Sequence, residues 1–432
     1  MKYYYGGITL KKILIVVFMM VLLMGLTSCD RSRGVYYLNF KPEADKAWQD
    51  LARKYKEETG VNITVVTASE GRYEETLTTE MNKSSAPTLF QISGPVAYET
   101  WKDYCLDLKD TKIYKELTSE DYSIKINDGV YGIAYVYEGY GLITNKTLLK
   151  QAGYEYEDIT SFDKLKEVAE SITANKQKLG FGAFSSSGLD GSSNWRFSGH
   201  LTNLPIFYEF TEDKIVTQPE KIKGTYIPQM KNIWDLYINN TYRVTPQALT
   251  SSTMDSSRAE FLNKEAVFYQ NGTWEYSQIS KVLKDEEIGF LPMYMGIDDE
   301  NQGLSSGTEN YWAVNKEANQ KDIEETLEFM YWVATSDAGV KALALDMGYV
   351  SPFKKAIKTN NVLYDYIDKA NSEGKTNINW LFTYTPNTEA WRNGVVDALS
   401  QYSANQTTTL WDKVTNSMVL GWEEQYKLSH QQ

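Results

Sequence analysis

Tyr131-Gly-Ile-Ala-Tyr-Val-Tyr-Glu-Gly-Tyr-Gly-Leu-Ile-Thr-Asn145 reads as one long strand, rich in aromatic and aliphatic residues, with Gly139 and Gly141 set on either side of Tyr140. Glycine inside a strand pattern marks a bend, a bulge or a place where another group comes close. Here the expected bend follows directly on Tyr137 and Glu138, an aromatic and an acidic group. The run is therefore expected to serve two sheets, to act as a hinge between them and to touch a ligand. Standing alone it would equally suit a buried strand with a glycine bulge; the rest of the chain argues for the hinge.

With 432 residues the chain exceeds what one hydrophobic core usually serves, so two lobes are expected. Aromatic residues reach 13%, with 32 Tyr and 11 Trp, a surplus that suits sugar-ring stacking and interfaces as well as cores. Residues 1–28 carry Lys2, Lys11 and Lys12 and no acid; setting them aside leaves 41 basic against 57 acidic residues, a net charge of −16. Nucleic acid and anionic membrane surfaces are poor partners for such a chain, since binding them needs clustered Lys and Arg. Only His200, His430, Cys29 and Cys105 are available to a His/Cys metal cluster or a Cys/His catalytic pair, so neither is expected, and no cofactor is implied.

Lys11 and Lys12 precede twelve apolar residues, Ile13 to Met24, and the run closes with Gly25-Leu-Thr-Ser-Cys29. Residues 1–28 thus read as a signal peptide, too short for a stable spanning helix. Their close resembles the bacterial lipobox, which would acylate Cys29, leave residues 29–34 as a lipidated tether and hold the protein on the extracytoplasmic face of the membrane. Cys105 would then have no disulfide partner.

From Val35 onward strand and helix patterns alternate. Strands are expected at 35–40, 61–68 and 87–92, and amphipathic helices at 44–58 and 73–81, the βαβαβ order of a parallel sheet. Ligands of such sheets sit beyond the carboxyl ends of the strands, which nominates Asn39 and Lys41, Glu70, and Ser93 with Gly94. Further on, Ser161 reads as a helix N-cap, and the loop 186–193 opens onto Trp195 and a helix through His200. A strand from Glu265 turns on Asn271-Gly272 and delivers Trp274 to the start of a helix. Ile288 to Pro292 and Asp346 to Pro352 are further candidate crossings, and residues from Val362 to the end read as helical. Without a repeat or a long linker, the two lobes are expected to interleave, 35–136 with 292–346 and 137–291 with 347–432.

The segments Trp48 to Val66, Ala134 to Leu148, Asn271-Gly-Thr-Trp-Glu-Tyr-Ser277 and Pro386 to Trp391, in this order and spacing, resemble the solute-binding proteins of carbohydrate ABC transporters, of the maltose-binding type. The resemblance covers nearly the whole chain after the signal peptide. It implies an α/β fold of two periplasmic-binding-protein-like (type II) lobes joined by hinge strands and closing on one sugar. By position it makes Trp274 the principal stacking indole, Trp391 and Trp195 further aromatic walls, and Glu138, beside Tyr137, a hydroxyl-binding acid. The chain departs from the maltose pattern at Thr273, where proline is usual, and around Glu70 and Ser93, which leaves the sugar unidentified.

A sugar ring presents C–H faces and a polar rim, so flat aromatics with Asp, Glu, Asn and Lys around them meet its needs. The expected function is a non-enzymatic, monomeric receptor that hands a sugar or oligosaccharide to a membrane permease. A secreted glycoside hydrolase and a receptor for another solute such as a peptide share much of this composition. Trp411 and Trp422 fall at helical spacing with apolar neighbours and are expected in the core, and His200 is expected to be structural.

Overall fold

The computed structural model describes residues 33–243 and 245–430. The signal stretch and Cys29 lie outside the described residues. The strands, in chain order, are β1 (Val35–Asn39), β2 (Ile63–Thr67), β3 (Leu89–Ile92), β4 (Ser123–Ile126), β5 (Gly129–Ala134), β6 (Glu138–Asn145), β7 (Gly182–Phe184), β8 (Ala266–Gly272), β9 (Ile288–Leu291), β10 (Gln302–Gly307), β11 (Tyr311–Val314) and β12 (Thr376–Asn379). They form two sheets, each the centre of one lobe. The first has the order β2-β1-β3-β11-β5-β4; the second runs β12-β10-β6-β8-β7, with β9 also paired to β6.

In the first lobe β1 pairs in parallel with β2 and β3, the arrangement that the βαβαβ pattern predicts. The helix Asp45–Thr59 ends on Gly60 in the left-handed conformation, and Tyr73–Met81 coincides with its predicted span. Because successive strand residues face opposite ways, Tyr37 enters the core on one face of the sheet and Leu38 the core on the other. Part of the aromatic surplus is used here. Tyr135 stacks on Trp312 at 4.7 Å, Trp48 meets both edge-on, and the Trp312 Nε1–H donates to the Tyr37 hydroxyl at 3.3 Å.

The opening stretch does serve both sheets, as β5 in the first and β6 in the second. Its break, however, falls at residues 135–137, before the glycines. Gly139 and Gly141 sit inside the regular strand β6 and mark close approach: a Cβ on Gly141 would lie 2.4 Å from the Leu291 carbonyl oxygen. The expected crossing at Ile288–Pro292 is not one. Residues 288–291 form β9, which pairs with β6, and β10 also lies in the second sheet. The chain returns to the first lobe only at residues 308–310, so the boundary expected at 292 moves some fifteen residues downstream. The third crossing touches the expected Asp346 to Pro352, where Val350 packs against the second lobe, but is completed later, so the boundary expected after 346 also moves downstream. Met347, Tyr349 and Phe353 pack in the first lobe's core, and Leu363 in the second's.

The three crossings are tied together. The Tyr137 N–H donates to the Val350 carbonyl at 2.8 Å, and the Thr308 hydroxyl to the Val136 carbonyl at 2.7 Å. After residue 362 the chain is less uniformly helical than its pattern suggests. The helix Leu363–Ser372 is followed by β12 and a short 3-10 turn before the helices Thr388–Ala404 and Thr408–His430. No helix among the described residues is long and apolar enough to cross a membrane.

Candidate ligand-binding cleft between the lobes

The loop after β1 meets the start of β6 and the end of β8 where the two lobes face each other. Asn39, fully buried, shapes that loop: its side-chain amide donates to the Lys41 carbonyl at 2.7 Å and its carbonyl accepts from the Lys41 N–H at 3.1 Å. This aims Lys41 across the cleft, where its Nζ donates to Glu138 Oε1 at 2.7 Å and lies 3.7 Å from Glu43. Both partners are almost wholly buried. Burial pushes the Glu138 carboxyl above the ordinary carboxylate range, with Lys41 pulling the other way. Burial also works against the Lys41 charge, but Glu138 and Glu43 outweigh it and hold the ammonium above its ordinary value.

Trp274 follows β8 directly, on the 3-10 turn Thr273–Glu275. The turn is fixed from three sides. The Asn361 amide donates to the Thr273 carbonyl at 2.8 Å, the Thr273 hydroxyl donates to Tyr364 at 3.2 Å, and Arg258 grips Glu275 with two bonds of 2.6 and 2.8 Å. The indole folds back over Gly272, where a Cβ would come within 2.2 Å of its ring, so only glycine admits it. It stacks on Tyr140 at 6.2 Å and leans on Trp195 at 5.6 Å, while Lys41 of the opposite lobe stands 5.5 Å over it. Trp195 is tied to its own loop through Nε1–H to the Ser192 carbonyl at 3.1 Å, with the Arg196 guanidinium 4.3 Å over its ring.

His200 completes this aromatic wall. It stacks on Tyr140 at 4.1 Å and meets Trp380 and Phe382 edge-on, both at 5.0 Å. Burial first, then the charges of Arg392, Arg196 and Lys41, hold its pKa well below the ordinary value, so the imidazole is neutral. Further along the cleft the Ser93 hydroxyl donates to Glu309 at 3.3 Å, and Glu309 faces Arg392 at 3.9 Å. Glu70, at the end of the β2 loop, is pushed up to about 7 by burial and by the neighbouring Glu43 charge.

Of the residues singled out in the sequence, Lys41, Glu138, Trp274 and Trp195 come together, and Glu70, Ser93 and Gly94 flank them. Asn39 acts one step back, as a brace. Tyr137 belongs to the hinge: its hydroxyl meets Ser306 at 2.5 Å, and its carbonyl accepts from the Tyr364 hydroxyl at 2.6 Å. Trp391 is a correction. It is 2% exposed, packs edge-on against Trp422, and donates its Nε1–H to the Met418 carbonyl at 3.0 Å. One residue along the helix, Arg392 looks the other way and reaches the cleft over Phe382 at 5.3 Å. The helical period of 3.6 separates neighbours by about 100°, so an error of one position exchanges core for cleft. Trp411 and Trp422 are buried as expected. Tyr140, Glu309, Trp380 and Arg392 were not foreseen; the Tyr140 position between two glycines was the one clue to any of them.

Residues 50–371 match the family model described as bacterial extracellular solute-binding protein. A maltotriose-binding protein of Pyrococcus abyssi is 22% identical over an alignment of 352 residues that covers 78% of this chain and 71% of that protein. Among solved structures, RafE in complex with raffinose superposes with a TM-score of 0.70 at 16% identity, covering 90% of this chain and 99% of that one. A chitin oligosaccharide binding protein gives 0.70 at 17% identity (91% and 98%), and a maltose-bound MalE3 of T. maritima 0.68 at 16% (91% and 99%). The family model spans well over half of the chain, the two-lobed fold is shared with these neighbours, and the chain belongs to the bacterial extracellular solute-binding protein family.

Proposed function

We propose that this chain is an extracytoplasmic receptor that closes on a sugar or oligosaccharide and delivers it to the membrane subunits of an ABC importer. The observation that carries the reading is the position of Trp274: an indole braced from behind by Tyr140 and Gly272 and turned toward the opposite lobe, with a charged pair beside it. A flat face with polar groups at its edge is what a pyranose needs. Trp274 and Trp195 supply the faces, and Lys41, Glu138, Glu70 and Ser93 the rim. The named relatives, which bind maltotriose, raffinose, chitin oligosaccharide and maltose, support a carbohydrate over a peptide.

Closure follows from differential affinity, because a ligand touching both lobes stabilises only the shut form. The receptor works as a non-catalytic monomer held on the cell surface through lipid on Cys29. A thermal-shift and Trp-fluorescence screen against a panel of oligosaccharides tests the reading, with chromatography of the mixtures afterwards. A stoichiometric complex and unchanged glycan are expected. Released products would convert the reading into a hydrolase, and no response to any glycan would remove the carbohydrate.

A further inference from the structure

Two interlobe contacts flank the site, and strand order shows that they lie on opposite sides of it. In the first sheet β1, which carries Lys41, lies between β2 and β3. The loop after β2 brings Gly71 against the loop after β7, where a Cβ on Gly71 would stand 2.4 Å from the Gly191 carbonyl oxygen. The segment after β3 brings Gly94 against Thr383, after β12, where the corresponding distance to the Thr383 Cβ is 2.7 Å. Strands β7 and β12 are the two edges of the second sheet, with β6 and β8 between them carrying Glu138 and Trp274. Neighbouring strands are about 4.8 Å apart, which sets the two contacts on the order of 10 Å from each other along the first sheet and on the order of 19 Å along the second. The first is the better gauge, because Gly71 and Gly94 stand four and two residues past their strands, and Gly191 and Thr383 seven and four past theirs.

Both glycines have positive φ, +69° for Gly71 and +82° for Gly94, so backbone conformation and close approach together demand glycine at each. Both contacts are firmly seated. The Ser193 N–H donates to the Asp190 carbonyl at 2.9 Å, and the Met254 N–H to the Ser192 hydroxyl at 3.1 Å, which holds the first. The Ser93–Glu309 bond and the Thr383 hydroxyl, which donates to the Trp380 carbonyl at 3.2 Å, hold the second.

We infer that the closed cleft is stopped at both ends and encloses a mono- or disaccharide outright, to the exclusion of longer chains. This rests on the carbohydrate reading above and names the size class of its ligand. A longer chain must pass one of the stops, and passing either one parts a glycine contact that the closed form makes. The ligand's own bridging contacts then have to offset that loss, so affinity falls with each added unit.

The test is isothermal titration of the purified protein with four homologous series, α-1,4-glucosyl, β-1,4-N-acetylglucosaminyl, β-1,4-xylosyl and α-galactosyl, each from one to five units. In the series that binds, affinity is expected to peak at one or two units and to fall at least about 100-fold by the tetrasaccharide. Thr383→Gly, which removes the side chain against Gly94, is expected to narrow that gap by at least about 10-fold. The wild-type series decides the matter if the variant does not fold. A tetrasaccharide bound as tightly as the disaccharide overturns the inference and leaves the carbohydrate reading intact; no binding in any series, with no response to the oligosaccharide panel above, overturns both.

Discussion

Lys41 reaches from the first lobe to Glu138 of the second and holds it at 2.7 Å, with both side chains out of water. A buried pair of this kind adds little over an apolar pair of the same shape, whereas removing one partner strands a charge at a cost of about 3–5 kcal/mol. Lys41→Met is therefore expected to lower the urea midpoint markedly. Lys41→Met with Glu138→Met is expected to recover most of the loss. A double variant as unstable as the single one would mean that Glu138 is not stranded by loss of the lysine.

Trp274 and Trp391 separate binding from folding. Trp274 is partly buried at the interlobe surface; Trp391 is sealed between two helices of the second lobe. Trp274→Ala is expected to weaken sugar binding at least about 10-fold, or about 1.4 kcal/mol, with little change in melting temperature. Trp391→Ala is expected to cost about 3–5 kcal/mol of stability while the folded fraction binds with unchanged affinity. The reverse pattern would exchange the two roles.

Much of this architecture was legible because periodicity and capping are local. The Tyr73–Met81 helix, the Ser161 cap, which accepts from the Lys164 N–H at 3.2 Å, and the delivery of Trp274 by β8 all stand where the pattern puts them. What failed was nonlocal. Whether Ile288 starts a crossing or pairs with β6 depends on a partner more than 140 residues earlier, and nothing in its own sequence encodes that choice. Arg392 and Glu309 escaped for the same reason. They come from distant segments, and only the folded chain sets them face to face.

On the proposed reading, Glu70 is expected to make closure sensitive to pH. Its carboxyl ionises at about 7 in the folded chain against an ordinary 4.5, through burial first and then the Glu43 charge. Between those values the folded chain holds more protons than the unfolded one, so this residue's contribution to stability is fullest below 4.5 and is lost as pH rises toward 7. Opening the cleft returns Glu70 to water and so favours its charged form. Sugar affinity is expected to fall as pH rises from 5 to 8, and less steeply in Glu70→Gln. His200, whose lowered pKa gives the opposite slope below 6.5, is present in both proteins and cancels in the comparison. Identical profiles would show that Glu70 does not titrate with closure.

Gly139 and Gly141 offer a test of what the glycines of the crossing stretch are for. If they were the hinge, alanine at either would stiffen it and alter ligand affinity. The geometry gives them a packing role, with unequal consequences. A methyl at Gly139 meets the Ile367 Cδ1 at 2.3 Å, the far end of a side chain that can turn away. A methyl at Gly141 meets the Leu291 carbonyl at 2.4 Å and the Leu304 Cδ2 at 2.9 Å, and the carbonyl belongs to β9, which is paired to β6 along its length. Overpacking against backbone costs about 1–3 kcal/mol or more. Gly141→Ala is expected in that range by urea denaturation and Gly139→Ala below about 1 kcal/mol, with sugar affinity unchanged in both. Equal stability losses, or affinity lost without stability, would return the hinge to the glycines and take it from residues 135–137, where the chain changes sheets.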